Sequence, residues 1–181
     1  MITGKPSSGN ITGNRISVID KEPLRIVITD SPTNANMEGH ITDLLALKVK
    51  HVARASEPTY ETQTLERMGI RVHDLQFDDG APPPDAVRNA WLDLCERCFI
   101  KGELERDERI SVHCVAGLGR APLLVAIALI EFANMDAIEA IEFVRNTRHR
   151  RAINRRQVTY LEEYKPSRRR KDVACAPCTI M

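Results

Sequence analysis

Residues 109 to 133, RISVHCVAGLGRAPLLVAIALIEFA, decide how this chain is read. Arg109 to His113 is a β-rich run, and from Ala121 onward the sequence is apolar over several helical turns, with Pro122 tolerated in the first of them. Between the two, Cys114-Val115-Ala116-Gly117-Leu118-Gly119-Arg120 sets a cysteine and an arginine six positions apart with two glycines inside. A loop of that size at a helix N-terminus points successive backbone N–H groups at one spot, and the helix dipole adds partial positive charge there. Gly117 and Gly119 are expected to supply backbone angles that a Cβ resists. Such a cradle suits a phosphate dianion, and its field favours a thiolate over a thiol. On this reading Cys114 attacks phosphorus, forming a cysteinyl-phosphate that water cleaves. Arg120 grips two phosphate oxygens, and the loop residues Val115, Ala116, Gly117, Leu118 and Gly119 bind phosphate alongside it. The spacing alone would equally suit a structural turn around a buried cysteine; the strand before it and the apolar helix after it favour phosphate.

A departing alkoxide or phenoxide needs a proton, so a carboxylic acid must reach this loop. Asp78-Asp79 in the upstream stretch Phe77 to Pro84 (FDDGAPPP) is the candidate. Further outward, Leu24 to Thr29 reads as a strand ended by Asp30-Ser31-Pro32, and Gly39 to Val49 has helical spacing. Lys50 to Ala53 reads as a short strand, Thr62 to Met68 as a helix closed by Gly69, and Ile70 to Leu75 as another strand. The stripe Ala86/Val87, Ala90/Trp91, Leu94/Cys95, Cys98/Phe99 marks a helix that Asp85 can cap; Met135 to Arg145 and Asn154 to Tyr164 complete the helices. Alternating strands and helices predict an α/β domain, a central, mostly parallel sheet flanked by helices, over residues 21–165. Residues 1–20 are expected to be a flexible lead-in and residues 166–181 a basic tail.

With 181 residues and 43% hydrophobic content, the chain can bury a real core. No apolar run approaches the roughly 20 residues of a membrane-spanning helix. The N-terminus lacks the apolar stretch of a secretory signal and has no glycine after Met1 for myristoylation. Five cysteines without a signal fit reduced thiols. From Arg145 to Lys171 nine arginines and two lysines face only Glu162 and Glu163, a net +9, leaving −8 for the rest of a chain whose overall charge is +1. Aromatics are not interleaved with these arginines, so a phosphate-rich membrane or substrate suits them better than nucleic acid. Cys95/Cys98 and Cys175/Cys178 could superficially compose a four-cysteine zinc site. The first pair lies on an apolar helical stripe and reads as two buried thiols; no metal and no cofactor are expected.

Cys178-Thr179-Ile180-Met181 fits a prenylation box whose terminal Met favours farnesyl, and Cys175 is a further acylation candidate. Arg168 to Lys171 supply a second anchoring signal, each basic residue contributing on the order of 1 kcal/mol at an anionic surface. This predicts attachment to the cytoplasmic face of plasma and endosomal membranes, with a cytosolic pool.

VHCVAGLGRAP (Val112 to Pro122) resembles the active-site loop of the phosphatase of regenerating liver family, a prenylated branch of the dual-specificity, cysteine-based protein tyrosine phosphatases. FDDGAPPP is similar to its acid loop, and PTNA (Pro32 to Ala35), ALIE (Ala128 to Glu131), AIN (Ala152 to Asn154) and TYLEEY (Thr159 to Tyr164) also match, so the likeness runs from about residue 24 to the end. The resemblance implies Cys114 as nucleophile, Arg120 as phosphate clamp, Asp79 as general acid, and a phosphoprotein or phosphoinositide as substrate. His113, immediately before Cys114, reads as a hydrogen-bonding partner that orients the loop rather than a proton carrier. The resemblance also implies the alternative of a non-catalytic regulator that docks a magnesium transporter, and a tendency to homo-oligomerise. Ala121 stands where most of the superfamily has Ser or Thr, leaving the departing thiolate less stabilised, so slow turnover with accumulated phosphoenzyme is expected. The family's Trp-Pro ahead of the acid loop is Leu75-Gln76 here. Its redox-partner cysteine is replaced by Ser56, so a disulfide to Cys114 is expected only from Cys95 or Cys98.

Overall fold

The computed structural model describes residues 15–168. Cys175, Cys178 and the basic residues from Arg169 onward, on which the lipidation reading rests, lie outside them. Five strands form one sheet in the order β1-β2-β5-β3-β4. Its centre is β5 (Arg109–Cys114), flanked by β2 (Leu24–Asp30) and β3 (Val49–Arg54), both parallel to it. The strand β4 (Arg71–Asp74) adds in parallel to β3, and β1 (Ser17–Lys21) closes the other edge antiparallel to β2. The central strand is covered on both faces, which is why Ile110, Ser111, Val112 and His113 are all buried and read as a run rather than an alternation.

Alternation in β2 divides the core. Ile26 and Ile28 face one layer with α3 (Asp85–Cys95), α4 (Arg120–Phe132), α5 (Ala137–Thr147) and α6 (Arg155–Glu163). Val27 faces the other, with α1 (Met37–Ala46) and α2 (Gln63–Arg67). The α4 helix is buried from Arg120 through Glu131, as a helix apolar on all sides must be. Trp91 of α3 locks onto it by donating its indole N–H to the Leu124 carbonyl at 2.7 Å.

The expected α/β sheet stands, with one mixed edge. The stretch assigned to a lead-in is corrected: Ser17–Lys21 is β1, paired residue by residue with Ile28 to Leu24. Only Ser17 and Ile19 of it are buried, so an edge strand with one apolar buried side chain looks like polar lead-in from sequence. The stripe through Cys95 and Cys98 is also not one regular helix, because Glu96–Ile100 forms a π-helical turn after α3.

Replacing Trp91 by Phe removes a buried hydrogen bond and part of the packing on α4. The expected cost is about 1–3 kcal/mol, read as a lower urea midpoint at unchanged m.

Candidate active site

Cys114 ends β5, and the next five residues turn into α4 at Arg120. Four consecutive carbonyls of this turn are tied outward. Val115 O accepts from the Ser31 amide at 3.0 Å and Leu118 O from the Ile153 amide at 2.8 Å. Ala116 O and Gly117 O accept from Nη2 and Nε of Arg148 at 3.3 and 3.0 Å. Because a trans peptide is planar, each tied carbonyl turns the next N–H the opposite way, so the amides of Ala116, Gly117, Leu118 and Gly119 face the concavity. Gly117 has a left-handed φ of 62°, and a Cβ there would collide with the Arg148 guanidinium and come within 2.8 Å of the Thr29 carbonyl. Gly119 has a φ of −113° and its nearest such neighbour is at 3.7 Å, so the need for glycine falls on position 117.

The turn frames a cavity of about 320 Å³ that also takes in Asp79, Gly80, Arg151 and Asn154. Cys114, Val115, Ala116, Leu118, Gly119 and Arg120 line it, whereas Gly117 is turned toward Arg148. Arg120 is buried and donates to the Phe77 carbonyl at 3.1 Å. Its Nε lies 3.4 Å from Asp79 and its Nη1 3.4 Å from Glu57. Asp79 itself is 80% exposed.

The acid loop hangs on α6. Asn154 and Gln157 form the helix's capping box, and their spare side-chain N–H groups donate to Gly80 O at 3.1 Å and Ala81 O at 3.3 Å. Where Leu75-Gln76 departs from Trp-Pro, Leu75 is buried, its amide donates to Arg54 O at 2.9 Å, and buried Phe77 supplies the remaining anchor. On the other side of Cys114, the Tyr60 hydroxyl and His113 Nε2 are 2.7 Å apart. Burial pushes His113 down to about 3, so its imidazole stays neutral and acts as a brace. Ser56 is buried, and Cys95, Cys98 and Cys114 are all free thiols.

The dual specificity phosphatase catalytic-domain family matches residues 34–167. A probable protein tyrosine phosphatase type IVA A from Dictyostelium discoideum is 43% identical over 168 residues, covering 93% of this chain and 95% of the relative. Human protein tyrosine phosphatase type IVA 3 is 48% identical over 146 residues, 81% and 82% of the two chains. A solved protein tyrosine phosphatase from Leishmania major aligns at a TM-score of 0.75 with 38% identity, over 83% of this chain and 99% of that one. The chain belongs to the type IVA protein tyrosine phosphatases. Its catalytic domain is of the dual-specificity type.

Two arginines of this type IVA phosphatase are not the anion-attracting surface charges that the basic run suggests. Arg148 is buried and bonded to the loop, to Asp30 and to the Ile28 carbonyl at 3.4 Å. Arg145 is likewise internal in role, donating to Ala152 O at 3.0 Å and Ile153 O at 2.9 Å. Nothing in the local run RNTRHRR distinguishes them from Arg150 and Arg151, which are exposed. Only their partners do.

Arg148→Lys keeps the charge but loses the fork that holds two loop carbonyls. It should lower kcat/KM roughly 10- to 100-fold and weaken tungstate binding, while Arg150→Lys stays within about twofold of wild type.

Proposed function

We propose that this protein tyrosine phosphatase hydrolyses phosphate monoesters through a cysteinyl-phosphate on Cys114, turns over slowly, and works while tethered to a membrane. The observation that carries the catalytic part is the row of four outward-tied carbonyls, which leaves inward amides around the sulfur at the end of β5. The thiolate of Cys114 attacks phosphorus while those amides and the Arg120 guanidinium take the non-bridging oxygens. A dianion on Arg120 competes with Asp79 and Glu57 for that guanidinium, turning Asp79 toward the leaving oxygen it must protonate. The Asp79 carboxylate then accepts a proton from the water that cleaves the thiophosphate bond, and the thiolate departs. Ala121, buried in the first turn of α4, brings no hydroxyl to that departing sulfur, so the second step is the slow one. Arg151 lines the cavity and, with exposed Arg150, Arg155 and Arg156 close to it in sequence, favours an acidic substrate, a phosphoprotein or a phosphoinositide.

Rapid-quench measurement with an aryl phosphate should give a burst stoichiometric with enzyme, then slow turnover. Cys114→Ser should abolish both phases, Asp79→Asn should slow the burst by about 10²–10⁴-fold, and Ala121→Ser should speed the second phase. Fast turnover with no burst would contradict the assignment.

The membrane part rests on Cys178 and the basic residues before it. The start of that tail is held at the C-terminal end of α4, where buried Glu131 accepts from the Ser167 amide at 3.1 Å and the Arg168 amide at 2.7 Å. A helix of 13 residues spans about 20 Å, so the tail leaves at that distance from the catalytic loop at the other end. In cells the full chain should fractionate with membranes and Cys178→Ser should become soluble. A Cys178→Ser form that stays with membranes would remove the lipid from the account.

A further inference from the structure

His51, Cys98 and Glu103 meet at one end of the sheet although they come from three segments. His51 lies on β3 and pairs with Ile110, at the end of β5 remote from Cys114. Cys98 lies in the π-helical turn, and Glu103 follows that turn. One ligand atom from each lies within 4.8 Å of the others. His51 Nε2 is 3.3 Å from Glu103 Oε1, close to the roughly 3.4 Å expected between two ligands bound to one tetrahedral zinc.

The surroundings also suit an ion. His51 Nδ1 lies 3.0 Å from His73 Nε2 on β4, so an Nδ1–H donated to His73 leaves the Nε2 lone pair aimed at Glu103. A partner on the second ring nitrogen is how proteins fix the tautomer and orientation of a metal-binding imidazole. His51 and Cys98 are buried, while Glu103 opens onto a cavity of about 180 Å³ that gives access and room for a water ligand. Arg71 and Arg97 donate to the two oxygens of Glu103 at 2.9 and 2.5 Å, and each oxygen keeps a further lone pair. The sequence reading set Cys98 beside Cys95; the fold turns it toward His51 and Glu103 instead.

We infer that His51, Cys98 and Glu103 bind a zinc ion, with His73 orienting His51 and water completing a four-coordinate shell. Thiolate, imidazole and carboxylate together suit zinc better than a hard oxygen-seeking cation. On binding, the Cys98 S–H bond breaks, its proton passes to solvent and the sulfur lone pair bonds the ion; thiolate and carboxylate then balance its two positive charges. The site is independent of the phosphatase pocket.

The test is a titration of reduced, full-length Cys114→Ser protein, which lacks the catalytic thiolate as a competing ligand. Cobalt(II) serves as the optical probe and zinc as its competitor. One equivalent of cobalt should bring up a thiolate charge-transfer band that zinc removes, and the band should persist when Cys175 and Cys178 are also changed to Ser. Adding Cys98→Ser should abolish it. His51→Gln and the more exposed Glu103→Gln should each weaken zinc at least about 100-fold, and His73→Leu about 10- to 100-fold. Zinc should raise the melting temperature of Cys114→Ser protein but not of its Glu103→Gln derivative. No band, a band that survives Cys98→Ser, or zinc affinity unchanged by Glu103→Gln would overturn the site.

Discussion

A buried guanidinium holds the catalytic turn open. The Arg148 side chain is fully covered, yet every nitrogen is used: Nε and Nη2 on loop carbonyls, Nη2 also on Asp30, and Nη1 on the Arg15 carbonyl at 2.5 Å and the Ser17 hydroxyl at 3.5 Å. A buried charge with a missing partner costs about 3–5 kcal/mol, so the ends of α5 and β2, the start of β1 and the phosphate turn are energetically one unit. Here β1, which looks peripheral, helps to hold the active site. Gly117 belongs to the same arrangement, since only a residue without a Cβ lets the guanidinium come so close.

The acid loop is held by different means. The phosphate turn is braced at four consecutive carbonyls, whereas the acid loop rests on two amide side chains from the cap of α6, the Phe77 ring and the Arg120 contact. Asp79 stands at its exposed tip. Arg120 links turn and loop, because it contacts the acid loop and lines the cradle.

The α4 helix joins the two ends of the molecule. Its N-terminus directs partial positive charge at the phosphate turn. Its C-terminus holds Glu131, a buried carboxylate where the dipole disfavours negative charge. The Tyr164 hydroxyl at 2.5 Å and the amides of Ser167 and Arg168 offset this by donating to it. Burial and Glu131 push the Tyr164 phenol up, so it remains a donor. The basic segment is equally divided in role. Arg145 and Arg148 are structural, Arg168 pairs with Asp93 at 2.6 Å and Glu96 at 3.0 Å, and Arg150, Arg151, Arg155 and Arg156 remain at the surface.

Contiguous residues determined much of this by themselves. A strand, a glycine-containing turn and an apolar helix were legible within the single run 109–133, and Asn154 to Tyr164 was legible as a helix. Each signal is a spacing along the chain, and local backbone geometry turns such spacing directly into shape. Tertiary structure alone decided the rest. It made Ser17–Lys21 an edge strand, separated Arg148 from its exposed neighbours, and brought Cys98 to His51 and Glu103. The reason is distance along the chain: Arg148 meets Asp30 across 118 positions, and Cys98 meets His51 only because β3 and the π-helical turn pack together. A side chain's role there is set by partners that no short window of sequence contains.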